Sequence, residues 1–215
     1  MTPEPYGLSV IGGFATLPEH AAPDGIASIA MLGLSKSGWE IFAASPEAQD
    51  GKEDPMDRWS LRVVTALAKE VDATPLFPFG GPPYQPFLRW AAATGKIWSS
   101  PVGMSIHAER GLWMSFRGAL GFSEVRDDLI AADATRPCET CTDKPCLTTC
   151  PVNAFTDGVY DVPTCVRHIE TQAGADCLSL GCKARHACPI GPEWSPVPAQ
   201  ATFHMGAYLR ARKSV

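Results

Sequence analysis

The cysteines are the residues of this chain whose type and spacing most directly suggest chemistry. All eight lie between Cys138 and Cys188, within a sequence of 215 residues. Eight cysteines in a chain of globular composition favour metal ligation over four disulfides, because a reducing compartment seldom keeps disulfides. The segment from Cys138 to Cys188 is therefore expected to bind metal.

The spacing of these cysteines favours iron–sulfur clusters. The first group, with gaps C-x2-C-x4-C-x3-C-P, differs from the bacterial ferredoxin run C-x2-C-x2-C-x3-C-P by two residues in its middle gap. In that run the fourth cysteine binds the other cluster. The second group is spaced more widely but also ends in Cys-Pro, and the sequence leaves open whether Cys177 is a ligand. Crossover ligation predicts one [4Fe–4S] cluster on Cys138, Cys141, Cys146 and Cys188, and another on Cys150, Cys165, Cys177 and Cys182.

Two other arrangements of the cysteines remain open. The thiols could form two four-cysteine zinc sites, or one cluster with spare thiols. Zinc sites usually contain paired C-x2-C units, and only Cys138 and Cys141 form such a unit. The spacing therefore favours two iron–sulfur clusters over zinc.

The change in cysteine content also marks a domain boundary near residues 129–137, where residues 131–135 have the composition of a linker. We expect an α+β fold with three parts. A sheet-and-helix domain is predicted over residues 1–130, a ferredoxin-type domain over residues 131–195, and a C-terminal helix that packs back over residues 196–215.

Periodicity and turn residues predict the elements that must position these sites. The Asp54-Pro55 pair is a helix start, and an apolar stripe follows it at i, i+4 spacing. The stripe comprises Trp59, Val63, Leu67 and Val71. The other predicted elements are strands over 26–34 and 74–79, a helix over 87–94, an antiparallel hairpin with arms 104–107 and 112–122, and a closing helix over 198–212.

Composition excludes several classes of function. The net charge of −5 and the pI of about 5.5 argue against nucleic acid as a partner. The most apolar run, residues 26–34, is too short to span a membrane. The first residues lack a basic region and a long apolar region, so no secretory signal is expected, and the predicted location is the cytoplasm.

Two resemblances to known families follow from these motifs. Residues 138–151, 163–165 and 181–189 resemble the dicluster domain of epoxyqueuosine reductase and of the reductive dehalogenases. Residues 103–118, with their Ile-His, Gly-x-Trp and Arg-Gly elements, resemble the hairpin of the cobalamin domains in those families, and still more that of the cblC-type cobalamin-processing proteins. The resemblances cover roughly residues 75–190, and they imply a nitroreductase-like cobalamin-binding domain followed by a dicluster ferredoxin domain.

The resemblance also implies a set of cobalamin contacts, and each has a structural alternative. For Gly80, Gly81 and Pro82 the alternative is an ordinary tight turn. For His107 it is a hydrogen-bonded position at a strand end, and for Trp113 and Phe116 it is a place in the core. Arg117 would pair with Glu109 across the hairpin. The stretch 77–83 lacks the proton-donating acid of epoxyqueuosine reductase, which argues against that activity. The implied contacts are Gly80, Gly81, Pro82, Tyr84, His107, Trp113, Phe116 and Arg117.

The expected function is redox chemistry at a corrinoid. Two clusters would take electrons from a low-potential donor, a ferredoxin or a flavodoxin, and pass them to cobalamin. The outcome would be removal of the upper ligand of cobalamin, or reduction of a small substrate. One alternative is a ferredoxin-like electron carrier with a partner-docking N-terminal domain and no second cofactor. Another is an iron–sulfur flavoprotein with flavin in the N-terminal domain.

Overall fold

The computed structural model describes residues 2–130, 134–156 and 158–213. Its mixed architecture with small antiparallel sheets confirms the predicted α+β class. The linker residues 131–133 lie outside the described residues. The chain divides into two compact units, the first comprising Met1–Trp98 with Met114–Thr135, and the second Ser99–Trp113 with Arg136–Val215.

The elements are short apart from two helices of 16 residues. No helix in the described part of the chain is long and apolar enough to cross a membrane. The strands are β1 Leu8–Ala15, β2 Ser28–Leu34, β3 Thr74–Leu76, β4 Ile97–Ser99, β5 Ser105–His107, β6 Gly118–Phe122, β7 Phe155–Thr156 and β8 Val159–Tyr160. The helices are α1 Gly38–Ala43, α2 Pro46–Gln49, α3 Pro55–Glu70, α4 Phe87–Ala93, α5 Pro137–Thr140, α6 Val162–Ile169, α7 Ala175–Ser179, α8 Lys183–His186 and α9 Pro198–Lys213.

The first unit is built on an antiparallel sheet in the order β1-β2-β6-β3. Strand β2 lies inside this sheet, with Met31 opposite Gly12 on one side and Ala119 on the other. Ile29, Met31 and the fully buried Trp90 of α4 belong to one apolar cluster. The continuous apolar run that predicted a buried strand therefore corresponds to β2, which begins two residues later than expected.

Helix α3 begins at Pro55 as predicted, but the expected role of Asp54 is wrong. Asp54 has a φ of +48° and its side chain makes no capping hydrogen bond. Pro55 still suits the first helical position, because its missing N–H has no intrahelical acceptor there. The predicted stripe is buried as expected at Trp59, Val63 and Leu67.

The predicted hairpin over residues 104–122 is wrong. Strand β5 pairs with β4, and only an isolated bridge joins His107 to Gly111. Residues 112–117 contain no strand, and β6 lies between β2 and β3. The apolar run of β6 is buried along its whole length, so it is placed by the larger sheet rather than by the nearby turn. The positive φ expected of Gly111 is confirmed at +56°.

Three other predicted elements are present with changed limits. The strand expected over residues 74–79 is confined to β3, because the chain leaves the sheet after Leu76. Helix α4 ends at Ala93, and Gly95 follows with a φ of +65°. The closing helix is α9, which contacts α7 within the second unit.

Replacing Trp59 by alanine tests the core of the first unit. Trp59 is fully buried and its ring meets Phe42 edge to face at 5.7 Å. Trp59→Ala should lower the free energy of unfolding by about 3–5 kcal/mol, because it removes a large side chain that the core cannot refill. Leu61→Ala is the matched control on the same helix, since Leu61 is 49% exposed, and should cost less than about 0.5 kcal/mol. Denaturant unfolding followed by far-ultraviolet circular dichroism measures both, and equal effects would contradict the assigned core.

Candidate metal centres

Four of the eight cysteines line one cavity in the second unit. Cys138 lies in α5, Cys146 lies in a 3-10 turn over Pro145–Leu147, and Cys188 follows α8. The fourth, Cys141, ends the α5 segment. The cavity encloses about 360 Å³ of empty space, its open mouth included. Contacts between α8 and the 3-10 turn bring Cys188 to the three cysteines of the first sequence group.

The walls of this cavity are apolar. Ile106, Leu112 and Ile190 line it together with several prolines. Ser100 also lies in the lining, and its buried hydroxyl has no hydrogen-bond partner among the described residues. An unpaired buried hydroxyl costs about 1–3 kcal/mol, so a bound group that accepts a hydrogen bond from it would remove that cost. Soft thiols, apolar walls and one spare donor together fit an iron–sulfur cluster.

The other four cysteines form a second group. The thiol of Cys177 interacts electrostatically with Cys150 and Cys165, and that of Cys182 interacts with Cys165. The backbone N–H of Ala154 donates a hydrogen bond to Cys150 Sγ over 3.4 Å. Cys177, whose role the sequence left open, is therefore placed with the other three. The elements that carry this group are the N-terminal end of α8 and the helices α6 and α7.

Electrostatics separates the two groups in the same way. The cysteines that act on the thiol of Cys146 are Cys188, Cys138 and Cys141. Burial raises the pKa of Cys146 and of Cys177 above the usual thiol value. These thiols are therefore neutral at pH 7 without metal, and binding a metal group as thiolates must release protons.

Among residues 2–130, 134–156 and 158–213, no three His, Cys, Asp or Glu side chains are grouped to hold a metal ion. A zinc ion with Zn–S bonds of 2.3 Å needs its sulfur ligands about 3.8 Å apart. The thiols of a four-iron cluster bind different iron atoms and stand farther apart.

A segment of the second unit that precedes the cysteines is fastened beside Cys188. Arg185 donates two hydrogen bonds to the carbonyl oxygen of Leu112, over 2.6 and 3.1 Å, and its guanidinium lies 4.5 Å from the ring centre of Trp113. His186 meets the same ring edge to face at 4.6 Å. Arg185 is therefore a structural contact within the second unit. Its role depends on a tertiary contact that no local pattern indicates.

The predicted cobalamin contacts His107 and Trp113 lie in this same segment and have structural partners. The buried Nδ1 of His107 accepts hydrogen bonds from the N–H groups of Glu109 and Arg110, over 3.0 and 3.3 Å. This nitrogen holds the turn that leads to Gly111. The hydrogen-bonded structural role that the sequence offered as an alternative for His107 is therefore present.

The remaining predicted contacts belong to the first unit. Tyr84 is 66% exposed, Pro82 is also exposed, and Gly80 has a φ of +83° with open space around it. A side chain at Gly81, in contrast, would meet the Pro83 backbone at 2.7 Å. The loop formed by these residues is exposed at Pro82 and Tyr84.

Phe116 and Arg117 have partners inside the first unit. Phe116 lies 6.0 Å from Phe87, ring centre to ring centre, and packs against the apolar cluster. Arg117 lies 3.8 Å from Asp57, so the expected pairing with Glu109 is wrong. Its Nε has no hydrogen-bond partner in the described part of the chain. Burial lowers the pKa of Arg117, and the charge of Asp57 acts in the opposite direction. Burial raises the pKa of Asp57, and the charge of Arg117 acts in the opposite direction.

No protein-family model, curated protein or solved structure matches this chain. The relation to corrinoid proteins therefore rests on the sequence motifs alone. The first group of cysteines rests on the cavity that its members share, and the second on the electrostatic interactions between its thiols.

Substitution of Gly111 tests the segment that supports Cys188. An added Cβ at Gly111 would lie 2.0 Å from the Ile190 carbonyl oxygen, so the backbone after Cys188 would have to move. Gly103 is a matched control, because it has a similar φ of +75° and no atom within 4 Å of an added Cβ.

Both alanine variants share the strain of a positive φ, which costs of order 1–3 kcal/mol. Gly111→Ala should therefore destabilise the protein well beyond Gly103→Ala. Anaerobic denaturant unfolding measures the difference, and equal losses in the two variants would contradict the close approach of Gly111 to Ile190.

Proposed function

We propose that this chain is an iron–sulfur redox protein that holds two [4Fe–4S] clusters and passes electrons to a corrinoid. One observation carries the first part of this proposal. The eight thiols come together as two sets of four, and each set contains cysteines from both sequence groups. This exchange of one cysteine in each direction is the ligation pattern of bacterial two-cluster ferredoxins. The proposed ligands are the two sets of four given above, in a second unit that we infer to be of the ferredoxin type.

The surroundings of the first set support this choice of metal group. A bound [4Fe–4S] cluster supplies one-electron transfer at a potential that the protein sets. Ile106 and Leu112 give the cavity apolar walls, and the hydroxyl of Ser100 is available to donate a hydrogen bond to a sulfur atom. All eight cysteines are free thiols, as ligation requires. Retention of free thiols favours a reducing compartment, the cytoplasm.

The corrinoid part of the proposal depends on the resemblance of residues 103–118 to the hairpin of cobalamin domains. We assign the first unit, with its antiparallel sheet, to the nitroreductase-like class on the same basis. Its exposed loop at Gly80 and Tyr84 offers backbone and aromatic surface to a large planar ligand. A ferredoxin or a flavodoxin would supply the electrons. A ferredoxin-like carrier that binds no corrinoid is the competing function.

Iron analysis of alanine variants tests the assignment of ligands to clusters. Cys138→Ala should reduce the iron content from about eight to about four per chain, because it removes a ligand of one four-iron cluster. Adding Cys188→Ala should remove no further iron, since both cysteines serve the same cluster. Adding Cys150→Ala to Cys138→Ala should instead remove the rest, since Cys150 serves the other.

The opposite pattern would contradict the proposal. Suppose instead that each sequence group held its own cluster. The double variant Cys138→Ala/Cys150→Ala would then keep the second cluster, and Cys138→Ala/Cys188→Ala would lose both. Anaerobic reconstitution followed by iron and sulfide determination distinguishes these outcomes, with the unsubstituted chain as the reference.

Corrinoid binding is tested separately from the clusters. The reconstituted protein is mixed with hydroxocobalamin and dithionite under anaerobic conditions and passed over a sizing column. We expect stoichiometric cobalt in the protein peak, in a base-off Co(II) or Co(I) form, beside about eight irons. Full iron content with no retained cobalt would overturn the corrinoid assignment and favour the electron carrier, while a yellow flavin band would favour a flavoprotein.

A further inference from the structure

One side chain in the cavity of the first set of cysteines is polar, buried and unpaired. Ser100 is 6% exposed and lies in the cavity lining with Cys138 and Cys188. Its hydroxyl oxygen is buried and has no hydrogen-bond partner among the described residues. Of the residues that line the cavity, Ser100 alone has a buried side-chain polar atom in this condition within the described part of the chain.

The backbone of Ser100, in contrast, is fully paired. Its N–H donates to the carbonyl oxygen of Met104 over 2.9 Å, and its own carbonyl oxygen accepts from the N–H of Gly103 over 2.9 Å. These two bonds hold Ser100 in a turn whose next residue, Pro101, also lines the cavity. The hydroxyl is therefore left to bond with a group that the cavity holds.

This turn is fastened to the element that carries Cys138. The guanidinium of Arg136 donates a hydrogen bond to the carbonyl oxygen of Ser99 over 2.5 Å. Arg136 immediately precedes α5, and Cys138 is the second residue of that helix. The bond thus joins the residue before Ser100 to the start of a helix that carries a proposed ligand. Ser100 is held near Cys138 by contacts that need no metal group.

The rest of the lining offers few hydrogen-bond donors to a bound group. Four of its residues are prolines, and a prolyl nitrogen has no hydrogen to donate. The side chains of Ile106, Leu112 and Ile190 are aliphatic. In apolar surroundings a hydrogen bond is electrostatically stronger than in water, so one hydroxyl has a large influence there. The four prolines are Pro101, Pro137, Pro145 and Pro189.

We propose that the hydroxyl of Ser100 donates a hydrogen bond to a sulfur atom of the cluster held by Cys138, Cys141, Cys146 and Cys188, and thereby raises the reduction potential of that cluster. This inference rests on the proposed two-cluster function. Reduction adds negative charge to a cluster, and a hydrogen bond to its sulfur stabilises the reduced form more than the oxidised form. Ser100 is thus a positioning residue that sets the potential of one cluster without binding iron.

A redox titration monitored by electron paramagnetic resonance tests this role. Ser100→Ala removes the hydroxyl and keeps Cβ, so the midpoint potential of one cluster should become more negative. The potential of the other cluster should not move, because the hydroxyl lies in the cavity of the first set alone. Ser100→Thr retains a hydroxyl and should keep both potentials close to those of the unsubstituted chain.

Ser99→Ala is the matched control, because Ser99 is the neighbouring serine and is exposed. It should leave both potentials unchanged. Electron–nuclear double resonance of the reduced protein, compared between H2O and D2O, gives a second readout. One exchangeable proton coupled to the first cluster should disappear in Ser100→Ala and persist in Ser99→Ala, which a merely structural role for Ser100 does not predict.

The outcomes separate this inference from the function on which it rests. About eight irons per chain with both potentials unmoved in Ser100→Ala would overturn the role of Ser100 and leave the two-cluster function standing. A shift in Ser100→Thr equal to that in Ser100→Ala would also overturn it, since the hydroxyl would then not be the cause. If Ser100→Ala loses iron, Ser100→Gly keeps the test decisive, because an unmoved potential in that variant contradicts the proposal. An unsubstituted chain that fails to bind about four irons at the first set would instead overturn the proposed function.

Discussion

The organisation of the second unit depends on one constraint, the gathering of thiols from separate segments of the chain into two sets. The helices that carry these thiols have four to eight residues, and helices of that length are marginal in water without tertiary support. Because Cys150 and Cys188 each join the set formed mainly by the other sequence group, neither set can form without the other segment in place. Metal ligation in such a unit contributes directly to the free energy of folding.

Side chains other than cysteine adapt each set to its surroundings. On the side of the first set, Arg185 and His107 hold the segment that ends at Leu112, and Gly111 permits its close approach to Ile190. On the side of the second set, the C-terminal helix is held against α7, which contains Cys177, by the hydrogen bond from the Thr202 hydroxyl to the Ser179 carbonyl oxygen. A cluster potential depends on such hydrogen bonds and on exclusion of solvent, so these contacts connect the fold to the proposed redox function.

The sequence predicts the elements with strong local patterns and misses those placed by distant partners. Apolar patterning predicts β2 and α3, and the division of the cysteines between two clusters stays a prediction from their spacing. The hairpin prediction fails because Gly118–Phe122 joins a sheet formed by strands far away in the sequence. Ser100 has no local pattern that marks it as a neighbour of thiols. Its position depends on tertiary packing, as does the contact of Arg185 with Leu112.

Mössbauer spectroscopy of the anaerobically purified protein, enriched in ⁵⁷Fe, tests the central claim most directly. The account predicts about eight irons per chain, all in spectra typical of [4Fe–4S] clusters, with matching sulfide. Zinc in place of iron, or iron without sulfide in a tetrahedral thiolate environment, would contradict it. Either contrary result would assign the two sets of cysteines to single ions and remove the basis for electron transfer.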